Sequence, residues 1–264
     1  MSKECLFCGG PGGLSKEHVV PLWLLEFLDL PADDEIFHGV VESATGLLAA
    51  PPRIHSSFTF VDGRVCETDC NNGWMARLEN AARPILISLI QDRGVETLSA
   101  GDAAVLGKWA AKTAYLHTWG GLGERPVQLD HLRALAGDSG VPVEGVTLFA
   151  AKSTHKKPTA YVGGGSWPQL GTRQTEADGQ PPRSAYKVGL QFGPLYLLVA
   201  FWPNRASSLL RATGVHVQVF PQTPPTGEWD PLNSPRPSLL EFGEHPADKL
   251  KAFVNCLAVL NPSR

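Results

Sequence analysis

Hydrophobic and polar positions change period several times along this chain. Near the N-terminus Ser15-Lys16-Glu17-His18-Val19-Val20 reads as a short strand ended by Pro21, and Leu22 to Leu28 as a helical turn apolar all round and therefore buried. Residues 31 to 53 hold no sustained period and read as an insertion-like loop closed by Pro51-Pro52. Ser56 to Phe60 alternates, Asp62-Gly63 is a hairpin signal, and Arg64-Val65-Cys66 completes the second strand of this N-terminal unit. A helix is expected from Asn71, with Trp74, Met75 and Leu78 on its packed face, then a second helical segment from Pro84 to Ile90. A third is expected behind an Asp102 cap, because Leu106, Trp109, Ala110, Thr113 and Leu116 recur at helical spacing. Lys108 and Lys112, one turn apart on it, read as a solvated face, with phosphate contact as the alternative use.

Beyond about Val146 the period shortens to that of strands. Val146 to Ala151, Ala185 to Phe192, Leu195 to Trp202 and Val215 to Phe220 are β-like, with Gly193-Pro194 as a tight turn between the middle two. Residues 163 to 183, rich in Gly, Pro, Gln and Thr, read as a long loop. Ala247 to Leu260 reads as a closing helix with Leu250, Phe253, Val254, Leu257 and Leu260 as its apolar stripe. The fold class expected is α+β, divided into residues 1–93 and a mixed helix and antiparallel-strand region, 94–264, of unknown role.

Composition narrows the setting. An apolar content of 43% with 19% charged residues is that of an ordinary globular chain, which sets disorder aside. Apolar runs such as Leu195 to Trp202 are too short to span a bilayer, and the N-terminus lacks a signal-peptide pattern, so a cytoplasmic protein without membrane association is expected. A formal charge of −3 argues against indiscriminate coating of nucleic acid, although it leaves room for a local basic face. Five cysteines would leave one over in a disulfide framework. Four of them, Cys5-x-x-Cys8 and Cys66-x-x-x-Cys70, instead have knuckle spacing suited to one structural Zn²⁺, and Cys256 reads as a buried core thiol.

Between and after the knuckles stand Glu17-His18 and Asn71: an acid, an imidazole and an amide, the side chains a metal-dependent phosphodiesterase uses. A cysteine pair, an acid-His dipeptide at a strand end, and a second cysteine pair closing in Asn at a helix start together resemble the HNH, or ββα-metal, endonuclease superfamily. The closest likeness is to its zinc-stapled branch, which includes phage endonuclease VII-type enzymes. The phrases LSKEHVVPLWLL and VCETDCNNGWMARLE are similar to a subgroup with EH where DH is more usual. The resemblance covers roughly residues 1 to 80. It departs in the three residues between Cys66 and Cys70 and in the lack of any Asn between His18 and Cys66.

The resemblance implies a ββα-metal core stapled by zinc, hydrolysis of DNA, and a phage, prophage or defence setting; RNA offers the same phosphodiester, and homodimer formation is left open. Glu17 and the Asn71 carbonyl would hold a catalytic Mg²⁺ or Mn²⁺, and His18 would act as general base, imidazole being the side chain best suited to accept a proton near neutral pH. For neighbours on a strand to reach one ion and one water, the strand must distort or end there. Lys16, Arg64 and Arg77 flank the site as nucleic-acid contacts. Other readings stand beside these: His38, His55 or Asp69 as a zinc ligand, Asn71 as a helix cap, Asn72 as the ligand, Trp74 and Trp109 as core, and His155-Lys156-Lys157 as a solvated loop. The competing function is a non-catalytic zinc-knuckle module binding nucleic acid or protein.

Overall fold

The structure, a computed structural model, describes residues 4–11, 13–30, 35–38, 53–56, 61–91, 98–120, 125, 127–137, 142–152, 160–166, 186–201, 210–212, 217–220 and 257–259. It is a mixed helix and antiparallel-strand fold, in agreement with the α+β expectation.

The N-terminal unit is built on β1 (Leu14–His18) and β4 (Val61–Cys66), paired antiparallel with Leu14 opposite Cys66 and His18 opposite Val61. Asp62-Gly63 is therefore not a hairpin turn but part of β4. Ser15 faces Val65 while Glu17 faces Asp62, so β4 carries one extra residue opposite Lys16. This bulge absorbs the Gly that the sequence pattern assigns to a turn. Between these strands lie α1 (Leu22–Phe27), with Leu24 and Leu25 buried, and a second antiparallel pair, β2 (Glu35–His38) with β3 (Arg53–Ser56). Part of the expected 31–53 loop is thus a strand, paired across a long excursion that no local periodicity announces.

Beyond β4 the chain makes wide helical turns over Glu67–Met75, broken at Gly73 (φ −90°, ψ −109°), before α2 runs over Ala76–Ile90. A Cβ on Gly73 would sit 2.8 Å from the Thr68 carbonyl oxygen, so only glycine allows this break. The expected second segment at Pro84 is instead continuous with α2, since Pro84 is exposed while Ala82, Ile85, Leu86 and Leu89 are buried. A lost backbone hydrogen bond on the wet face is tolerated where the opposite face is packed.

Helix α3 (Ala100–Gly120) is the central element, touching α2, β4 and the large sheet, and its middle is buried on all sides from Trp109 to Leu116. Its cap is Ser99 and not Asp102. The Ser99 hydroxyl accepts from the Asp102 N–H at 3.1 Å and Asp102 Oδ2 accepts from the Ser99 N–H at 3.2 Å, a reciprocal capping box. A short helix unforeseen in the sequence, α4 (Leu129–Ala136), packs beside α3.

The large sheet is antiparallel in the order β10-β5-β8-β7-β6, from β5 (Val146–Lys152), β6 (Ala160–Ser166), β7 (Tyr186–Phe192), β8 (Leu195–Phe201) and β10 (Val217–Phe220). Every residue of β7 and β8 is buried, and Gly193-Pro194 joins them with Gly193 at φ +56°, as the sequence suggests. Strand β6 takes in Gly163 to Gly165, the start of the expected 163–183 loop; pairing along β7 supplies the order that three glycines do not. At the C-terminal end β11 (Leu257–Val259) pairs with β9 (Leu210–Ala212), so residues 257–259 are a strand and not the end of a helix. Residues 247–256, with Cys256, lie outside the described residues, as do His155, Lys156 and Lys157. One contiguous apolar core runs from Cys5 through α2 and α3 to Phe201. Among the described residues no helix is long and apolar enough to cross a membrane.

Candidate functional site

The first knuckle is a turn in which the Cys5 N–H donates to the Gly10 carbonyl and the Gly9 N–H to the Cys5 carbonyl, with Gly9 at φ +73°. The Leu6 N–H donates to the Arg64 carbonyl (2.9 Å) and the Glu67 N–H to Gly13 (2.9 Å), so the turn is laced to β4 where the second knuckle begins. The result is a cluster of Cys5, Cys8 and Cys70 sulfurs, all within 4.8 Å of one another. Cys5 Sγ and Cys70 Sγ are 3.7 Å apart. A tetrahedral ion with Zn–S bonds of about 2.3 Å separates its sulfurs by about 3.8 Å, so this spacing suits zinc.

Backbone N–H groups are already aimed at two of the sulfurs, from Cys66 to Cys5 (3.2 Å) and from Gly10 to Cys8 (3.4 Å). Burial disfavours the Cys5 thiolate, but the N–H groups of Cys8, Cys66 and Phe7 outweigh it and hold the thiol below its ordinary value. Burial raises Cys8. Burial and then the neighbouring Cys5 thiolate push Cys70 far up, against a lesser opposing contribution from the Trp74 indole. A second or third thiolate is favourable in this cluster only when a cation joins it. Cys66 stands apart: its Sγ lies 3.8 Å from Thr68 Oγ1, and the N–H of Asp69 and the Thr68 hydroxyl lower its thiol. Among the other ligands considered, Asp69 is exposed, and His38 and His55 belong to β2 and β3.

Glu17 and His18 are the last two residues of β1, just past the point where β4 bulges, and this strand end is what their joint use of one ion and one water requires. Asn71 reaches the two preceding residues of β1 from the helical turns: its Nδ2 donates to Ser15 Oγ (2.8 Å) and to the Lys16 carbonyl (3.4 Å). Asn71 is therefore no helix cap in its own right but a tie between the second knuckle and β1. Its carbonyl oxygen makes no hydrogen bond among the described residues. Asn72 is exposed.

Beneath Glu17 lies a group the sequence reading misplaced. Lys112, expected at a solvated face, is 0% exposed and bridges Glu17 Oε1 (3.0 Å) and Glu79 Oε1 (2.6 Å). Burial alone would depress its ammonium; Glu79 and Glu17 outweigh that and raise it. Glu79 also accepts from Trp109 Nε1 (2.9 Å) and Trp23 Nε1 (3.0 Å), fixing α1 and α3 to α2. The signal was available, since Trp109, Lys112 and Leu116 share one helical stripe. Lys108, by contrast, is half-buried over the Trp74 ring at 4.9 Å, its ammonium lowered by burial and by nearby Arg77.

Of the three cations expected to meet nucleic acid, Lys16 and Arg77 are exposed. Arg64 is engaged internally: Nη2 donates to the Trp119 carbonyl (2.7 Å) near the end of α3, and the guanidinium lies over the Trp119 ring. Trp109 is core, as expected, while Trp74 is half-buried with its ring edge against Phe7. Comparison with protein-family models, with curated proteins and with solved structures finds no match for this chain.

Proposed function

We propose that the chain is a divalent-metal-dependent endonuclease of the HNH type, acting on DNA, with its N-terminal unit stapled by one structural zinc. The observation that carries the proposal is the meeting of Asn71 with β1 beside Glu17-His18 at a bulged strand end, next to a cluster of sulfurs at zinc spacing. Cys5, Cys8 and Cys70 supply three ligands. Cys66, whose backbone N–H already donates to Cys5 Sγ, is the proposed fourth ligand, which it becomes by exchanging its Thr68 contact for the ion.

Glu17 has one oxygen without a hydrogen-bond partner among the described residues, and Asn71 has its amide oxygen; both are hard donors that fit Mg²⁺ or Mn²⁺. Held by these two oxygens, such an ion would supply charge neutralisation at the phosphate and the departing oxygen. His18 takes the proton of the attacking water. Lys16 and Arg77, exposed beside these residues, receive neighbouring phosphates.

The test is cleavage of supercoiled plasmid by zinc-loaded protein. Activity should vanish after mild EDTA treatment and return with Mg²⁺ or Mn²⁺ while zinc content stays constant; cutting that needs no exchangeable ion would overturn the mechanism. The competing reading, a non-catalytic knuckle module, draws on the Glu17–Lys112 ion pair, which a purely structural Glu17 would also make. It predicts plasmid binding without cleavage at any metal concentration.

A further inference from the structure

The buried charges under β1 do not cancel, and the imbalance falls at Glu17. Lys112 brings one positive charge to two carboxylates. Glu79 accepts three hydrogen bonds, from Lys112, Trp109 and Trp23, spread over both its oxygens. Glu17 accepts one from Lys112 on Oε1, while Oε2 has no partner among the described residues and the side chain keeps 12% of its surface exposed. Glu79, with 14% of its side chain exposed, is no more buried than Glu17, yet it is the better hydrogen-bonded of the two carboxylates, and the uncompensated negative charge falls to Glu17.

We propose that the Lys112–Glu79 pair, clamped by the two indoles, sets the net charge that Glu17 presents at its free oxygen, and so determines how tightly that end of β1 binds a divalent cation. This rests on the metal-ligand role proposed for Glu17. Glu79 keeps the Lys112 charge occupied. Were Glu79 neutral, Lys112 would be balanced by Glu17 alone, the group of three would carry no net charge, and a cation would meet an already neutralised carboxylate. Neither Lys112 nor Glu79 touches the ion in this scheme.

The experiment is direct titration of Mn²⁺ into the full-length, zinc-loaded protein, followed by electron paramagnetic resonance of free Mn²⁺, with zinc content and circular dichroism recorded for each variant. Glu79→Gln keeps the shape and an acceptor for Lys112, and should weaken Mn²⁺ binding by on the order of tenfold. Lys112→Met removes the positive charge, and should leave Mn²⁺ binding equal to wild type or tighter. Loss of packing would weaken both variants, so the opposite signs distinguish charge-setting from a merely structural role. If Glu79→Gln binds Mn²⁺ as wild type does, or if folded Lys112→Met binds it more weakly, the inference is overturned; should one variant not fold, the other decides. Wild-type binding that Glu17→Gln leaves unchanged would instead remove the reading of Glu17 as a ligand.

Discussion

Two lysines one turn apart on α3 have opposite fates, and the difference lies in a single step of helical phase. Lys112 falls in line with Trp109 and Leu116 and is drawn into the interior, where two carboxylates are needed to keep it charged; Lys108 lies at the edge, its ammonium over the Trp74 ring. His18 stands at the other extreme, half-buried at the end of a strand, where it supports little packing. Its replacement by Ala should therefore lower plasmid cleavage by roughly 10²- to 10⁴-fold, the scale of general-base loss, with zinc content and melting temperature nearly unchanged. Glu17→Ala should differ in kind, because its defect is in ion affinity: raising Mn²⁺ should restore part of its rate and none of that lost in His18→Ala. A His18→Ala protein that cuts at the wild-type rate would falsify the mechanism.

Among the elements, the second knuckle depends on Gly73. The wide turns from Glu67 place Cys70 in the sulfur cluster and Asn71 on β1, and they give way to α2 only through the break at Gly73. Gly73→Ala brings a Cβ to 2.8 Å from the Thr68 carbonyl oxygen, so backbone must move. A loss of about 1–3 kcal/mol in urea unfolding is expected, accompanied by weaker zinc retention because Thr68 lies between Cys66 and Cys70. Wild-type stability and zinc retention in this variant would show that the break carries no strain. The cysteines themselves should behave as a unit: elemental analysis of the wild-type protein should find near-stoichiometric zinc, and Cys5→Ser or Cys70→Ser should abolish it. Well-folded wild-type protein containing no zinc would remove the staple.

Taken whole, the molecule joins its sheet to α3 and α4 through a buried polar cluster that should govern the pH limits of folding. His131 Nδ1 lies 2.9 Å from Tyr186 Oη, which donates to Tyr115 Oη at 3.1 Å. Burial lowers His131, against a smaller opposing pull from Asp130, while burial raises both phenols. The signs follow from linkage. As pH falls below about 6.5, the unfolded chain takes up a proton that folded His131 resists, so stability contributed by the neutral ring is lost. As pH rises above about 10, unfolded tyrosines release protons that the folded ones retain, and stability is lost again. Thermal melts across pH should show both limbs, with His131→Phe flattening the acid limb and Tyr186→Phe the alkaline one. Unchanged limbs in the variants would assign the pH dependence to other groups.

Sequence by itself determined what local chemistry and local period can carry. It located the two knuckles, the Glu17-His18 strand end, the β7–β8 hairpin with its Gly193-Pro194 turn and the packed stripe of α3, because spacing, turn residues and a 3.6-residue period act within a few positions of each other. Tertiary structure decided what depends on partners far along the chain. Asp62-Gly63 became part of a strand, with Gly63 in its bulge, because β4 pairs with β1 some fifty residues earlier, Gly163 to Gly165 became a strand because β7 lies beside them, and residues 257–259 became a strand by pairing with β9. The same cause placed Lys112 beneath Glu17: an apolar stripe can be read from α3 alone, but the two carboxylates that make a buried lysine tolerable come from β1 and α2, and only folding brings those three elements together.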